Sequence, residues 1–154
     1  MSEPMIIGVG NSLRSDDGVG PVVIAHLATR IEDSVILLEH QSDGISLMER
    51  WQDADTVIVV DAASSEAPCG TIHRFDVAES ELPRGFFHAS THELGVAEAV
   101  EMARLLRRLP QRLIVYAIEG ENFAAGTDMT PAVANAVESV ATQILEELSR
   151  VRKA

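Results

Sequence analysis

The alternation of apolar and polar segments along the chain predicts strands separated by helices. The first apolar run covers residues 5–9 and stops at a Gly-Asn pair, which is typical of a short strand followed by a loop. Apolar residues then recur at helical spacing, with a proline that the first turn of a helix tolerates: Val19, Val23, Ile24, Leu27 and Ile31, with Pro21.

The same pattern repeats through the rest of the chain. Short apolar runs predict strands at residues 35–39, 56–60 and 113–118, and residues 71–76 are compatible with an added edge strand. The run 56–60 is β-branched throughout and bounded by aspartates, so we expect a central strand that is buried on both faces and ends at Asp61.

Helices are predicted between these strands, at residues 45–51, at residues 90 to about 109, and after Thr130. Ser90 and Glu93 have the spacing of a capping box. Thr130 is a suitable N-cap with Pro131 at the first helical position, and the last helix has an apolar stripe: Val133, Val137, Val140, Ile144 and Leu148.

Strands that alternate with helices indicate the α/β class. We expect a three-layer sandwich with a mostly parallel central sheet of about five strands, helices on both faces, and room for one antiparallel edge strand. The chain has 154 residues, of which 46% are hydrophobic. This length and composition favour a single domain over residues 1–154 with a substantial core.

Composition also narrows the class of partner. The formal net charge of −12 would repel a phosphate backbone, so nucleic-acid binding is not expected. The apolar runs are too short for a membrane span, and no signal-peptide pattern is expected at the start. Cys69 is the single cysteine, which excludes a disulfide framework and favours a reducing cytoplasm.

The loop after the first strand is the first candidate for chemistry, because ligands of open α/β sheets bind at the carboxyl ends of strands. Residues 7–20 read IGVGNSLRSDDGVG. A dinucleotide fingerprint would need a glycine where Leu13 stands, and no Gly-Lys-Ser/Thr follows. The adjacent carboxylates Asp16 and Asp17 would also repel a pyrophosphate, so a nucleotide site is not expected.

A metal site fits these residues better. Asp17 lies in the first strand-to-helix loop, Asp61 closes the central strand, and His92 is predicted in the first turn of the helix capped by Ser90. Two carboxylates and one imidazole suit a divalent transition metal with open positions. Each residue alone has another interpretation: a helix cap for Asp17, a turn-forming residue for Asp61, and a capping-turn histidine for His92.

Asp16, the neighbour of Asp17, is expected to support the helix start through its charge. On that interpretation its substitution by asparagine would be milder than that of Asp17. Cys69 has no histidine partner at readable spacing, and no nucleophile-elbow pattern is present.

Several stretches together resemble the hydrogenase maturation endopeptidases. Residues 8–20 (GVGNSLRSDDGVG) are similar to the opening signature of that family, residues 59–62 (VVDA) to its second motif, and residues 91–95 (THELG) to its third. The similarity extends to the strand at 113–118 and to the start of the last helix at 130–133.

This resemblance implies an endopeptidase that removes the C-terminal extension of a nickel–iron hydrogenase large subunit after nickel insertion. By position, the metal-binding trio of the family falls on Asp17, Asp61 and His92. The trio would sense nickel already held by the substrate, so no tightly held resident metal is implied. Two routes to hydrolysis stay open: Asp17 or Asp61 acts as general base, as in an aspartic-type peptidase, or nickel polarises the scissile carbonyl.

The residues expected to border the substrate-binding cleft are Asn11, Glu39, His40, Gly44 and Glu119. Two stretches depart from the family pattern: Glu39 to Ser42 replaces a common Asp-Gly-Gly-Thr turn, and Glu119-Gly120 lacks a preceding proline. Two rival functions remain, a nickel-site checkpoint or chaperone that does not cut, and a peptidase with its own metal. A monomer is expected.

Overall fold

The computed structural model describes residues 3–31, 34–41, 44–83, 85–87 and 95–153. Five strands and four α-helices are present in this part of the chain, and a short 3-10 helix, Ser15–Gly18, precedes α1. In chain order they are β1 (Met5–Val9), α1 (Val19–Ala28), β2 (Ile36–His40), α2 (Gly44–Arg50), β3 (Thr56–Ala63), β4 (Ile72–Asp76), α3 (Val96–Leu105), β5 (Arg112–Glu119) and α4 (Pro131–Lys153).

The strands form one sheet in the order β2-β1-β3-β5-β4. The pairs β1–β2, β1–β3 and β3–β5 are parallel, and β4 runs antiparallel to β5 at the edge. The expected fold class is confirmed, including the antiparallel edge strand. The predicted central strand is also confirmed, since β3 has a partner on each side.

The sheet separates two apolar cores. Ile58 and Val60 of β3 belong to the core shared with α1 and α4, while Val57 and Val59 belong to the core shared with α2 and α3. This alternation is what a strand buried on both faces requires. The predicted stripe of α4 is buried throughout: Val133, Val137, Val140, Ile144 and Leu148.

Several element ends differ from the sequence-based expectation. β3 continues two residues beyond Asp61, because Ala62 and Ala63 still pair with β5. The helix expected over residues 90–109 begins at Val96, with Gly95 in an extended conformation as its N-cap, and residues 90–94 lie outside the described residues. That helix ends at Leu105, shortly before Arg107, whose φ of 56° is incompatible with a continuing right-handed helix.

The longest helix, α4, has 23 residues and carries exposed polar residues opposite its buried stripe. Within the described ranges, no helix combines the length and the apolar character that crossing a membrane would need.

Candidate active site at the carboxyl edge of the sheet

The order of the strands places a crevice between β1 and β3. The chain leaves β1 toward β2 on one side and later returns to form β3 on the other, which makes this the switch point where open α/β sheets bind ligands. The register aligns the ends of the strands: His40 of β2 lies beside Val9 of β1, and Asp61 of β3 beside Ala117 of β5.

The glycines of the opening motif are explained by close packing of the backbone. A Cβ at Gly20, in the first turn of α1, would lie 2.7 Å from the carbonyl oxygen of Val60. Gly10 has a φ of 137°, and a Cβ there would overlap the carbonyl oxygen of Asp17. The glycines therefore let the loop and α1 sit directly on the ends of β1 and β3, and this brings Asp17 close to the sheet edge.

Asp17 is held in this position by the turn that precedes it. Its Oδ2 accepts a hydrogen bond from the backbone N–H of Asn11 at 2.9 Å. The side-chain oxygen of Asn11 in turn accepts one from the N–H of Leu13 at 2.9 Å. Because Asp17 remains partly exposed, its carboxylate combines a fixed position with access from solvent.

Asp61 is almost completely buried, with 2% of its surface exposed. Its Oδ1 accepts a hydrogen bond from the N–H of Ala62 at 2.8 Å. Burial raises the pKa of Asp61 well above its usual value, and the negative charge of Asp17 raises that pKa further, against the lowering effect of the Ala62 N–H. The two carboxylates are therefore close enough for the charge of one to act on the other, and such a pair favours sharing a proton or binding a cation.

His92, the third predicted ligand, lies outside the described residues, so its assignment remains a prediction. The chain on either side of it is described. Phe87 forms an isolated antiparallel bridge with Ala63, two residues beyond Asp61. Gly95 is the N-cap of α3, and α3 covers the sheet face that Asp61 shares with Val57 and Val59. Within the described residues alone, no three His, Cys, Asp or Glu side chains form a metal-binding group.

Asp16 has a different role from the expected one. It is fully buried, and its carboxylate accepts four hydrogen bonds: from the N–H groups of Glu121 (2.9 Å) and Asn122 (3.0 Å), and from both the N–H and the hydroxyl of Thr130 (2.7 Å each). Burial alone would raise the pKa of Asp16, but these hydrogen bonds lower it. Asp16 thus ties the loop that carries Asp17 to the loop after β5, instead of only supporting a helix start.

The five residues expected to bind substrate all lie at or near the carboxyl edge, but they differ in access. Glu39 is exposed and Asn11 partly exposed, whereas His40, Gly44 and Glu119 are buried. His40 accepts a hydrogen bond from the N–H of Gly10 at its carbonyl oxygen, and Gly44 is the first residue of α2. Glu39 and Asn11 therefore have the accessibility that contact with a substrate requires, and the assignment of all five stays a prediction.

Glu119 is engaged within the protein. Its side chain is 1% exposed and accepts hydrogen bonds from the N–H of Ser65 at 2.6 Å and from the Ser65 hydroxyl at 2.5 Å. His73 Nε2 lies 3.3 Å from Oε1 of Glu119. In this arrangement the carboxylate anchors the loop after β3 to β4. Sequence reasoning missed Ser65 and His73 because nothing in their local pattern points to a residue about fifty positions away.

Comparison with known proteins identifies the family of the chain. A family model described as hydrogenase maturation protease matches residues 21–147, which is most of the chain and begins just after the opening motif. The hydrogenase expression/formation protein HupD of Thiocapsa roseopersicina is 31% identical over 152 residues, covering 90% of this chain and 68% of the relative. The hydrogenase 2 maturation protease of Escherichia coli is 28% identical over 149 residues, covering 94% and 89%.

The fold is shared with solved structures. The hydrogenase maturating endopeptidase HybD from E. coli superimposes with a TM-score of 0.81 at 23% identity, covering 98% of this chain and 94% of that one. A maturation protease described as HycI from Thermococcus kodakarensis gives a TM-score of 0.73 at 20% identity, covering 96% and 93%. The chain belongs to the hydrogenase maturation protease family and is a peptidase.

Proposed function

We propose that this peptidase removes the C-terminal extension of a nickel–iron hydrogenase large-subunit precursor after nickel has been inserted. The observation that carries the proposal is the pairing of Asp17 and Asp61 at the β1/β3 crevice in a member of the hydrogenase maturation protease family. A buried carboxylate beside a second, accessible one is an arrangement typical of a functional site rather than of a structural one.

The proposed trio binds nickel that belongs to the substrate. Asp17 and Asp61 supply two carboxylates, and His92 supplies one imidazole. A set of three such ligands without a thiolate holds nickel only moderately, so the precursor completes the coordination and metal and substrate arrive together. The purified peptidase should therefore contain little metal, and a chelator should not unfold it.

Two routes to hydrolysis agree with this geometry. In the first, Asp17 or Asp61 accepts a proton from the attacking water as it adds to the scissile carbonyl. In the second, the nickel of the substrate polarises that carbonyl while the carboxylates orient the complex. Both routes need the scissile bond to lie at the edge between β1 and β3, and both lose activity when either aspartate becomes an asparagine.

The direct experiment incubates the purified chain with nickel-loaded and with nickel-free precursor and follows the intact mass of the precursor. We expect the mass of the extension to be lost only from the nickel-loaded form. Cleavage of nickel-free precursor in the presence of chelator would contradict the nickel dependence and favour an aspartate-driven peptidase. Stable binding of nickel-loaded precursor without any cleavage would favour the checkpoint function, and stoichiometric metal in the purified chain would favour a resident metal.

Matched variants connect the reaction to the trio. Asp17→Asn, Asp61→Asn and His92→Ala should each reduce cleavage of nickel-loaded precursor by at least about 100-fold, the order typical for loss of a metal ligand or its support. Asp53→Asn and His26→Ala are the controls, since Asp53 is exposed before β3 and His26 lies in the last turn of α1. Equal losses in the controls would mean that the trio has no special role.

The proposal includes the setting in which the chain works. A single cysteine suits a reducing compartment such as the cytoplasm, and a net charge of −12 disfavours binding to nucleic acid. The proposed active form is a monomer. Size-exclusion chromatography with light scattering tests the monomer, and cell fractionation tests the compartment.

A further inference from the structure

Leu13 is an apolar residue that the fold exposes at the candidate site. Its side chain is 75% exposed, although it lies within the loop that positions Asp17. Single exposed apolar residues are common on protein surfaces and by themselves indicate nothing. What sets Leu13 apart is the way in which its backbone is held and where the loop places it.

The backbone of Leu13 is fixed on both sides. Its N–H donates to the side-chain oxygen of Asn11 at 2.9 Å, and its carbonyl oxygen accepts from the N–H of Gly126 at 3.0 Å. The side chain is therefore presented from an ordered loop that links two segments of the carboxyl edge. Because the loop is already ordered, a partner that contacts Leu13 does not have to bear the entropic cost of ordering it.

The loop also places Leu13 next to the candidate chemistry. Asn11, which holds the N–H of Leu13, donates its own N–H to Oδ2 of Asp17 at 2.9 Å. The comparably exposed Leu105, at 82%, closes α3. Since α3 begins at the carboxyl edge and leads into the start of β5, Leu105 lies at the opposite end of the sheet. Of these two exposed leucines, only Leu13 is adjacent to a residue of the proposed trio.

We propose that Leu13 is a docking residue that inserts into an apolar pocket on the folded body of the hydrogenase large-subunit precursor, beside its nickel centre. The inference rests on the proposed function and adds a specificity-determining contact to it. A projecting side chain on a fixed loop fits a preformed apolar pocket in a folded partner. A flexible extension would instead be bound in a groove on the peptidase. Because Leu13 lies in the same loop as Asp17, the pocket would lie close to the nickel that the substrate presents to Asp17.

The test compares Leu13→Ala with Leu105→Ala in steady-state cleavage of nickel-loaded precursor. Leu13→Ala should raise KM by about tenfold with kcat nearly unchanged, because the lost apolar contact contributes to binding and not to the chemical step. Leu105→Ala should leave both constants within about twofold. Leu13→Met, which keeps the volume of the side chain, should recover most of the wild-type KM. Thermal unfolding confirms that each variant is folded.

A binding measurement separates the folded body from the extension. Leu13→Ala should weaken binding to a nickel-loaded subunit that lacks the extension by the same factor as binding to the full precursor. Weakening confined to the full precursor would move the contact to the extension and overturn the inference. An unchanged KM for Leu13→Ala, with active wild type, would overturn it as well and leave the proposed function intact. Absence of cleavage by the wild type would overturn both.

Discussion

Two regions of the molecule bury a carboxylate, and they do so in opposite ways. At the carboxyl edge, Asp61 has the negative charge of Asp17 for a neighbour, and its pKa is raised. On α4, the side chain of Glu147 is fully buried but accepts hydrogen bonds from Arg74 Nε at 2.8 Å and from the Tyr116 hydroxyl at 3.0 Å. Burial alone would raise the pKa of Glu147, yet these partners lower it to about 2.

The contrast shows that the neighbours of a buried acid, more than its depth, indicate what it does. Glu147 also bonds to Arg112 and lies 3.4 Å from Arg150, so its charge is compensated inside the protein. Asp61 has no such compensation from Asp17, which carries a charge of the same sign. A carboxylate whose ionisation the fold opposes is poised for a proton or a cation from outside. Stability measurements on variants of the buried carboxylates test that contrast.

The largest effect is expected at Glu147. Glu147→Ala should lower the free energy of unfolding by about 3 kcal/mol, the low end for breaking a buried ion pair, because the arginine partners are partly exposed and water can solvate them. The buried hydroxyl of Tyr116 loses its acceptor in the same variant. Urea titration measures the loss. The control is the neighbouring Glu146→Ala, which lies on the exposed side of α4 and should change stability by less than about 0.5 kcal/mol.

Asp16 lies at the candidate site but is hydrogen-bonded in the same way as Glu147. Its substitution therefore shows whether the location of a buried carboxylate or its bonding partners determine its contribution to stability. Asp16→Asn should lower the free energy of unfolding by about 2 kcal/mol, since one amide oxygen cannot accept what two carboxylate oxygens accept from Glu121, Asn122 and Thr130. Asp128→Asn, an exposed position in the loop after β5 that Asp16 binds, serves as the control in the same urea titration. A neutral effect at Asp16 would mean that its hydrogen bonds add nothing to the fold.

Lowering the pH should remove the contribution of ionised Glu147 to the free energy of unfolding. Its folded-state pKa of about 2 is below the usual glutamate pKa of 4.5, so the stabilisation is fully present above about pH 4.5 and is lost as the pH falls toward 2. Over that window the group can contribute a slope of up to about 1.4 kcal/mol per pH unit. The difference in stability between wild type and Glu147→Gln should therefore narrow as the pH falls from 4.5. A difference that is constant over this window would contradict the lowered pKa.

Local pattern was sufficient to predict most of the fold. β-branched and apolar runs predicted the strands, and helical spacing predicted α1 and the buried stripe of α4. The placement of Asp17 and Asp61 at the same edge of the sheet follows from the sequence as well, because parallel strands present their carboxyl ends at one edge. The start of α3 differs from the prediction. The capping-box spacing of Ser90 and Glu93 favours a start at residue 90, whereas the N-cap in the structure is Gly95.

The buried polar contacts could not be predicted in the same way. Asp16 reaches residues 105 to 114 positions away, and Glu147 reaches Arg74 across 73 positions. Such pairs depend on how the loops and helices settle on the sheet, and neither residue has a local spacing that reveals its partner. For this reason the sequence separates Asp17, as a candidate ligand, from Asp16, as a supporting residue, but does not reveal the hydrogen bonds of Asp16 with the loop after β5.

The smallest effect on stability is expected at Asp61 itself. Its raised pKa means that folding opposes the ionised form, so above the usual pKa of an aspartate the charge lowers stability. Asp61→Asn removes that charge and keeps an oxygen for the N–H of Ala62. The free energy of unfolding at pH 7 should then stay the same or rise by up to about 1 kcal/mol, because active sites keep groups that cost stability. Urea titration beside Asp16→Asn gives the comparison under identical conditions. A loss above about 1 kcal/mol for Asp61→Asn would place Asp61 with the compensated carboxylates, and the contrast with Glu147 would no longer hold.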